Sequence, residues 1–506
     1  MIYTFFNSLI KGYLKYRMGR IEAMSASPLE LQNDILKNLI PKLKQTQYGK
    51  DFGAEAITNI KDFRKSIPVV QYESLYPYID KMMQGSPDQL YPGQVNWYAK
   101  SSGTTNDKSK YIPITDDILF ENHIAASWDA MSMQYNNYPD SRNFEGKNLI
   151  MGGSLSQFSK QVTVGDVSAI LLKRMPLVGR PFYTPDFETA LMSDWEAKID
   201  KIAQISSKED VVMFAGVPTW TIVLFNKILE ITGCKNMREV WPEAKTYFHG
   251  GVSFEPYISQ FKSFFPDDDL EFREIYNASE GYFAVQDRSR DKGMLLLLDN
   301  AIFYEFIPAE QVNNSNPDIL TLEDVEVDKN YCMVITTSSG LWRYIPGDIV
   351  KFVTVKPFRV MVSGRTRHYI NVFGEEVMVH NTDSALMKTC ASFGARITDY
   401  MVAPIYMGEN SKGGHEWWIE FDGELSKTED FARELDDNLR SVNSDYDAKR
   451  YRDLALLPLK LNVVRKGAFT DWLRQKGKIG GQSKIPRLIN NRENAELLIS
   501  FLNNKY

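Results

Sequence analysis

Apolar residues recur along this chain with two different periods. Leu31, Ile35, Leu36, Leu39 and Leu43 share one helical face. Ser27-Pro28-Leu29-Glu30 precedes them, with a capping serine, a first-turn proline and a glutamate placed to close a capping box. Further upstream, MIYTFFNSLIKGYLKYRMGR reads as an amphipathic helix laid on the protein, peripheral membrane contact being the alternative. Its basic residues follow the apolar run and no small-residue cleavage site succeeds it, unlike a targeting signal. TDDILFENHIAASWDAM predicts another helix, with Thr115 as its cap.

From about residue 147 the period shortens. NLIMGG, DVVMFAGVP, KTYFHGG and EFREIYNASEG are short apolar runs closed by glycine or proline, with helical stretches around Trp195–Ile205 and Trp220–Ile231. Buried strands with loops at their carboxyl ends have this pattern, and ligands favour those loops in open α/β sheets. GMLLLLDNAIFYEFI predicts a hairpin turning at Asp299-Asn300, and NYCMVITT and GDIVKFVTV extend the β-rich part. Beyond about residue 380, a helix, two strands (ITDYMVAPIY and HEWWIEFDG), a second helix and a basic tail make a small α+β domain. The hinge is expected near Gly364–Gly374, which divides an α/β chain into residues 1–370 and 371–506.

Composition narrows the classes. The chain has 506 residues, 43% hydrophobic and 25% charged, with a net charge of −6. These are globular values, and the charge argues against nucleic acid as a general partner. Cys234, Cys332 and Cys390 are too scattered for a disulfide framework or a zinc site, which points to a cytoplasmic setting and to cysteines that act as small apolar residues. The five histidines make no ligand pair. No stretch reaches the ~18 apolar residues of a membrane span, so stable insertion is not expected.

Candidate chemistry sits in four polar turns. Ser101, Ser102, Gly103, Thr104 and Thr105, followed by Lys108 and Lys110, offer hydroxyls, approachable backbone amides and ammonium groups, a set suited to polyphosphate oxygens. The spacing is not that of a GxxxxGK[ST] loop, and the same residues also make an ordinary polar turn. Tyr276-Asn277-Ala278-Ser279-Glu280-Gly281 follows a strand, and Glu280 could hold Mg²⁺, unless it is only an exposed acid. TTSSGLWRYIPGD sets Arg343 and Asp348 around Trp342 and Tyr344, and the aspartate could take both hydroxyls of a ribose or simply face solvent. GKIGGQSKIPR is a basic, glycine-rich tail that either closes over an anion or is a solvated loop. Gly216 and Pro218 after one strand, and His249 and Gly250 after the next, are candidate walls of a substrate pocket, with Trp220 and Phe254 nearby.

In this order, SSGTT (101–105), YNASEG (276–281), GLWRYIPGD (340–348) and QSKIPR (482–487) resemble the Gretchen Hagen 3 family of acyl acid amido synthetases, within the adenylate-forming, luciferase-like superfamily. The resemblance extends upstream through TQYGKDFG and IPVVQYESL. It implies a large N-terminal domain of sheets with helices and a small β-barrel, and a smaller, mobile α+β C-terminal domain. It also implies ATP and Mg²⁺, a carboxylic acid that becomes an acyl-AMP, and an amine, usually an amino acid, that displaces AMP.

Carried over by residue, the 101–105 turn would cradle phosphates. Tyr276 would join the nucleotide site, Ser279 and Glu280 would lie near the adenosine and metal, and Asp348 would bind the ribose. Lys484 would offset charge on the transferring phosphoryl group. A thiol acceptor such as coenzyme A, or a binding protein without catalysis, are the alternatives. One departure stands out: Glu375-Glu376 occupies the segment (371–377) where a family lysine would align.

Overall fold

The computed structural model describes residues 2–101, 110–252, 254–288, 293–312, 314–365, 369–408, 412–453, 455–475 and 485–505. Eleven strands form one sheet. Its parallel part runs Tyr183–Thr184, Lys147–Ile150, Val211–Gly216, Thr246–His249 and Glu271–Ala278. Four of these are the apolar runs expected as buried strands, and the Trp195–Ser206 and Pro218–Thr232 helices fall where the period predicts them. Glu271–Ala278 is the seam. It is parallel to Thr246–His249 on one side and antiparallel to Gly281–Val285 on the other.

Beyond the seam, Met294–Leu296, Phe358–Arg365, Asp348–Val355, Asn330–Thr337 and Ile302–Pro308 follow in antiparallel order. The part expected as a small barrel is therefore continuous with the main sheet among the described residues. Register shifts in the Asp348–Val355 and Phe358–Arg365 pair mark bulges, which bend a strand and increase its twist.

The hairpin expected at Asp299-Asn300 does not form. Met294–Leu296 and Ile302–Pro308 lie in different places in the sheet because long-range polar contacts hold the intervening residues apart. Gln32 Nε2 donates to Leu298 O at 2.8 Å and Ile302 O at 2.9 Å, and its Oε1 accepts from Tyr304 N at 2.8 Å. Asn122 Nδ2 donates to Asn300 O at 2.9 Å, and Asn300 Nδ2 donates to Asp129 Oδ2 at 3.0 Å. Each anchoring group is buried, so leaving one unmet would cost roughly 1–3 kcal/mol.

The N-terminal helix, Ile2–Ala26, seats Ile10 and Leu14 against Tyr135, Phe144 and Phe182. Pro28–Lys44 starts with its proline in place, but Ser27 makes no side-chain cap, so the expected capping box is absent. Thr115 does cap, accepting from Ile118 N at 3.2 Å. Trp97–Ser101 and Lys110–Pro113 are antiparallel neighbours in a separate four-stranded sheet, with Ser101 and Lys110 as ladder partners.

Among the described residues, the sheet of the C-terminal part has three strands, not two. Lys460–Val464 lies parallel to Gly414–Phe421, which pairs antiparallel with Ile397–Ile405. The third strand was hidden in sequence because its short LKLNVV run has little buried surface. One apolar core continues from Phe214 and Trp220, through Phe373, to Tyr400 and Trp417. The connection between the two parts is also tied by hydrogen bonds. Tyr257 Oη donates to Val372 O at 2.9 Å, and Thr219 Oγ1 donates to Phe373 O at 3.1 Å.

Candidate active site

A cleft of about 1790 Å³ opens at the carboxyl ends of the parallel strands, between the large sheet and the C-terminal part. Residues from distant turns meet there. Ser101, Tyr276, Ser279, Glu280, Asp348 and His249 all line it. Ser102, Gly103, Thr104, Thr105 and Lys484 lie outside the described residues. The ladder partners Ser101 and Lys110, which bracket 102–109, both reach the cleft.

One wall is polar and closely bonded. Asp348 begins its strand after Gly347, whose φ of 109° is in the left-handed region that favours glycine. Its Oδ2 accepts from Tyr276 Oη at 2.6 Å. Glu280 sits in the two-residue turn between Glu271–Ala278 and Gly281–Val285 and is 6% exposed. Gly281 closes that turn, and a Cβ there would come within 2.6 Å of Ile302 Cδ1, so a larger residue would have to displace that side chain.

Tyr344 Oη donates to Glu280 Oε1 at 3.3 Å, and Lys110 Nζ donates to Tyr344 Oη at 3.2 Å. Lys110 also lies 5.8 Å from the ring centroids of both Tyr72 and Tyr344. A phenol thus bridges a cation and a carboxylate. Burial, and then Glu280, raise the Tyr344 pKa well above the ordinary phenol value, so it remains a donor. Sequence reading had Lys110 at the edge of its motif and missed Tyr72, which only the fold brings close.

The opposite wall is aromatic. His249 stacks on Phe254 at 4.0 Å and leans on Tyr247 at 5.4 Å. Burial pulls its imidazole down to about 3, so it is neutral across the physiological range. Trp220 stacks on Trp195 with centroids 4.4 Å apart and planes at 9°. The Lys449 ammonium lies 4.4 Å from the Trp220 ring centroid, and that of Lys198 lies 4.6 Å from Trp195. Nothing in the sequence around Lys449 distinguished it from a solvated helical lysine.

Three of the expected pocket residues support the wall from behind. The cleft touches Val217 and Gly251 rather than Gly216, Pro218 or Gly250. Pro218 starts the Pro218–Thr232 helix and is buried, while Gly216 packs between Met151 and Thr221. A Cβ on Gly250 would approach Ile275 O to 2.4 Å, so that glycine serves strand packing.

Arg343 requires a correction. It does not reach the cleft: its Nε and Nη2 donate to Glu305 Oε2 and Oε1, both at 2.8 Å, and Nη1 donates to Arg64 O and Ile67 O. It is 4% exposed, and this bidentate, buried arrangement commits the guanidinium to the fold.

The Glu375-Glu376 pair divides in the same manner. Glu375 is fully buried, accepting from Phe373 N at 2.6 Å, Val372 N at 3.2 Å and His415 Nε2 at 2.9 Å. Burial alone would raise its pKa, yet these bonds hold it below the usual carboxylate value. Glu376 lines the cleft. Among the described residues no group of three or more His, Cys, Asp or Glu side chains could hold a metal, and no helix is long and apolar enough to cross a membrane.

A cleft at the seam of a parallel-to-antiparallel sheet, flanked by a smaller α+β unit, defines a two-part α/β fold. The fold resembles the AtGH3.15 acyl acid amido synthetase solved with 2,4-DB (TM-score 0.62, 19% identity, 97% of this chain and 96% of that one). It also resembles a 2-hydroxyisobutyryl-CoA ligase (TM-score 0.57, 14% identity, 96% and 93%).

The chain belongs to the GH3 family. The N-terminal domain matches over 17–194 and 154–270, the central domain over 295–365 and the C-terminal domain over 380–493. Among curated relatives, the indole-3-acetic acid-amido synthetase GH3.3 of Arabidopsis thaliana is 23% identical over 95% of this chain and 92% of its own length. The jasmonoyl–L-amino acid synthetase GH3.5 of Oryza sativa subsp. japonica is 22% identical, covering 94% of each chain. The 4-substituted benzoates–glutamate ligase GH3.12 of A. thaliana is 22% identical over 95% and 96%.

Proposed function

We propose that this protein is an ATP-dependent acyl acid amido synthetase. The acid's carboxylate oxygen attacks the α-phosphorus of ATP and pyrophosphate leaves. An amine nitrogen, from an amino acid, then attacks the acyl carbon and AMP leaves with the bonding electrons. The observation that carries this reading is the convergence of Ser101, Glu280 and Asp348 on one cleft at the strand ends.

In this reading the 101–105 turn holds phosphates and Asp348, oriented by Tyr276, takes the ribose hydroxyls. Ser279 and Glu280 lie beside the adenosine and the metal. The Glu280 carboxylate offers the kind of oxygen ligand that Mg²⁺ takes beside the waters and substrate phosphates it keeps in its shell. When bound, the ion would neutralise charge on the phosphates. The reaction requires positioning and charge stabilisation rather than an enzyme nucleophile, in keeping with this donor set.

Residues 371–506 act as the mobile part that brings Lys484 to the phosphoryl group. The chain immediately after it is anchored to the small sheet, with Ile485 buried and Val402 N donating to Arg487 O at 2.8 Å. The test is a panel of carboxylic acids, including indole-3-acetate and substituted benzoates, scored by pyrophosphate release and pyrophosphate–ATP exchange. Product assays with amino acids and with coenzyme A follow. Acid-dependent exchange and an amide product are expected. A thioester product would change the acceptor, and ATP binding without exchange from any acid would leave a nucleotide-binding protein.

A further inference from the structure

Lys449 is 8% exposed, faces the cleft and has an aromatic ring, but no hydrogen-bond acceptor or ion-pair partner, among the described residues. It sits on the Ser444–Arg450 helix, which reaches the cleft from the C-terminal part. The Trp220 ring lies 4.4 Å from its ammonium. The backbone at Gly374 leaves room for it, because a Cβ there would lie 3.4 Å from Nζ, and the φ of 84° already favours glycine. Asp445 on its own helix, Glu375 and Glu376 on the turn and Asp166, which follows the Thr163–Gly165 strand of the four-stranded sheet, face it from farther away and keep it cationic against burial. An ammonium withdrawn from water without a close partner is costly, and in a cleft such groups mark function.

The sheet indicates which ligand it meets. Trp220 follows the Val211–Gly216 strand, whereas Tyr276 belongs to Glu271–Ala278, and one strand lies between them. Two strand spacings amount to about 10 Å, so Lys449 stands over the aromatic wall and away from the Tyr276–Asp348 pair. The ligand groups due on that side are the carboxylate of the acid and that of the amino-acid acceptor.

We propose that Lys449 binds a substrate carboxylate at the aromatic wall, with Trp220 and Gly374 holding its ammonium in place. The inference rests on the ligase reading above. Burial lowers its pKa from 10.5 to about 8, so the ammonium form prevails at neutral pH and gains most from an anionic ligand.

The test compares wild-type protein with Lys449→Met, which keeps the volume and removes a buried charge, a change that folds usually tolerate. Lys449→Gln is a second neutral variant should the first fail to fold. Loss of a charge-assisted bond predicts a rise of about tenfold or more in one Michaelis constant, with that for ATP unchanged. A rise for the acid in pyrophosphate–ATP exchange assigns the ammonium to the acid. A rise for the amino acid in the transfer step assigns it to the acceptor. Unchanged constants for both, or a change confined to ATP, overturn the proposal. If the wild-type protein activates no acid, the ligase reading fails by itself. Calorimetric titration of benzoate and of glutamate then decides on Lys449: binding lost in the neutral variants supports it, and equal or absent binding refutes it.

Discussion

The two walls of the cleft are built on opposite principles. On one side Tyr276 bonds to Asp348, and Lys110, Tyr344 and Glu280 form a second set of polar contacts, which fix each group's direction. On the other side Trp220, Trp195, His249 and Phe254 make stacked surfaces, with the Lys449 ammonium over Trp220 and that of Lys198 over Trp195. A hydrogen-bonding wall rejects a ligand lacking the matching group by large factors, whereas an apolar wall discriminates by about 1–3 kcal/mol per methylene. The first suits a ligand that never changes. The second suits an acid that differs from one relative to another within a conserved fold.

The largest effect is expected from Lys484, which lies outside the described residues. Lys484→Ala removes charge offset from the transferring phosphoryl group, so exchange should slow on the order of 10²–10³-fold with the Michaelis constants for ATP and acid little changed. Unchanged exchange would remove Lys484 from the mechanism. Asp348→Asn should come next. Weakening charge-assisted bonds to a ribose predicts a loss of roughly 10–100-fold in kcat/KM for ATP, with the rank order of acids preserved. A reordered acid preference in that variant would mean that the walls are not independent.

The aromatic wall has its own signature in acid. Burial holds His249 near 3 in the folded protein against about 6.5 when unfolded, so unfolding takes up a proton between those values. Its contribution to stability is complete above 6.5 and is lost as pH falls toward 3. At pH 5 the deficit for this one group is about 2 kcal/mol. His123, pulled down to about 4 by burial, acts in the same direction. Replacing His249 with phenylalanine should flatten the decline of Tm between pH 7 and pH 5. An equally steep decline would show that other groups govern acid unfolding.

How much of this was legible depends on whether the deciding contact was local. Four of the five parallel strands were readable because each apolar run ends in its own glycine or proline, whereas Tyr183–Thr184 is too short to carry such a pattern. The Asp299-Asn300 turn was misread because Gln32, Asn122 and Asp129, far away in sequence, determine where those residues go. Arg343 and Asp348 looked alike within one motif. The partner of Arg343 is Glu305, on a strand that no spacing linked to it, whereas Asp348 meets Tyr276 at the cleft. Lys449 was illegible for the same reason. In DAKRY it is one more charged residue on a helix, and only its packing against Trp220 sets it apart.

The smallest effect tests the contrast most finely. Tyr276 Oη donates to Asp348 Oδ2 at 2.6 Å, and both residues are buried. Its ring, 4.8 Å from Phe283, would stay in place in Tyr276→Phe, so only the hydroxyl is lost. One bond of this kind contributes about 0.5–1.5 kcal/mol, or slightly more to a carboxylate, which predicts a rise of roughly 3–10-fold in the Michaelis constant for ATP. The constants for acid and amine should not move. If Asp348 is set by its strand alone, the variant will bind ATP like wild type, and the polar wall owes its order to the backbone. If acid binding weakens as well, the two walls are coupled through the Glu271–Ala278 seam, and their difference is one of composition rather than of function.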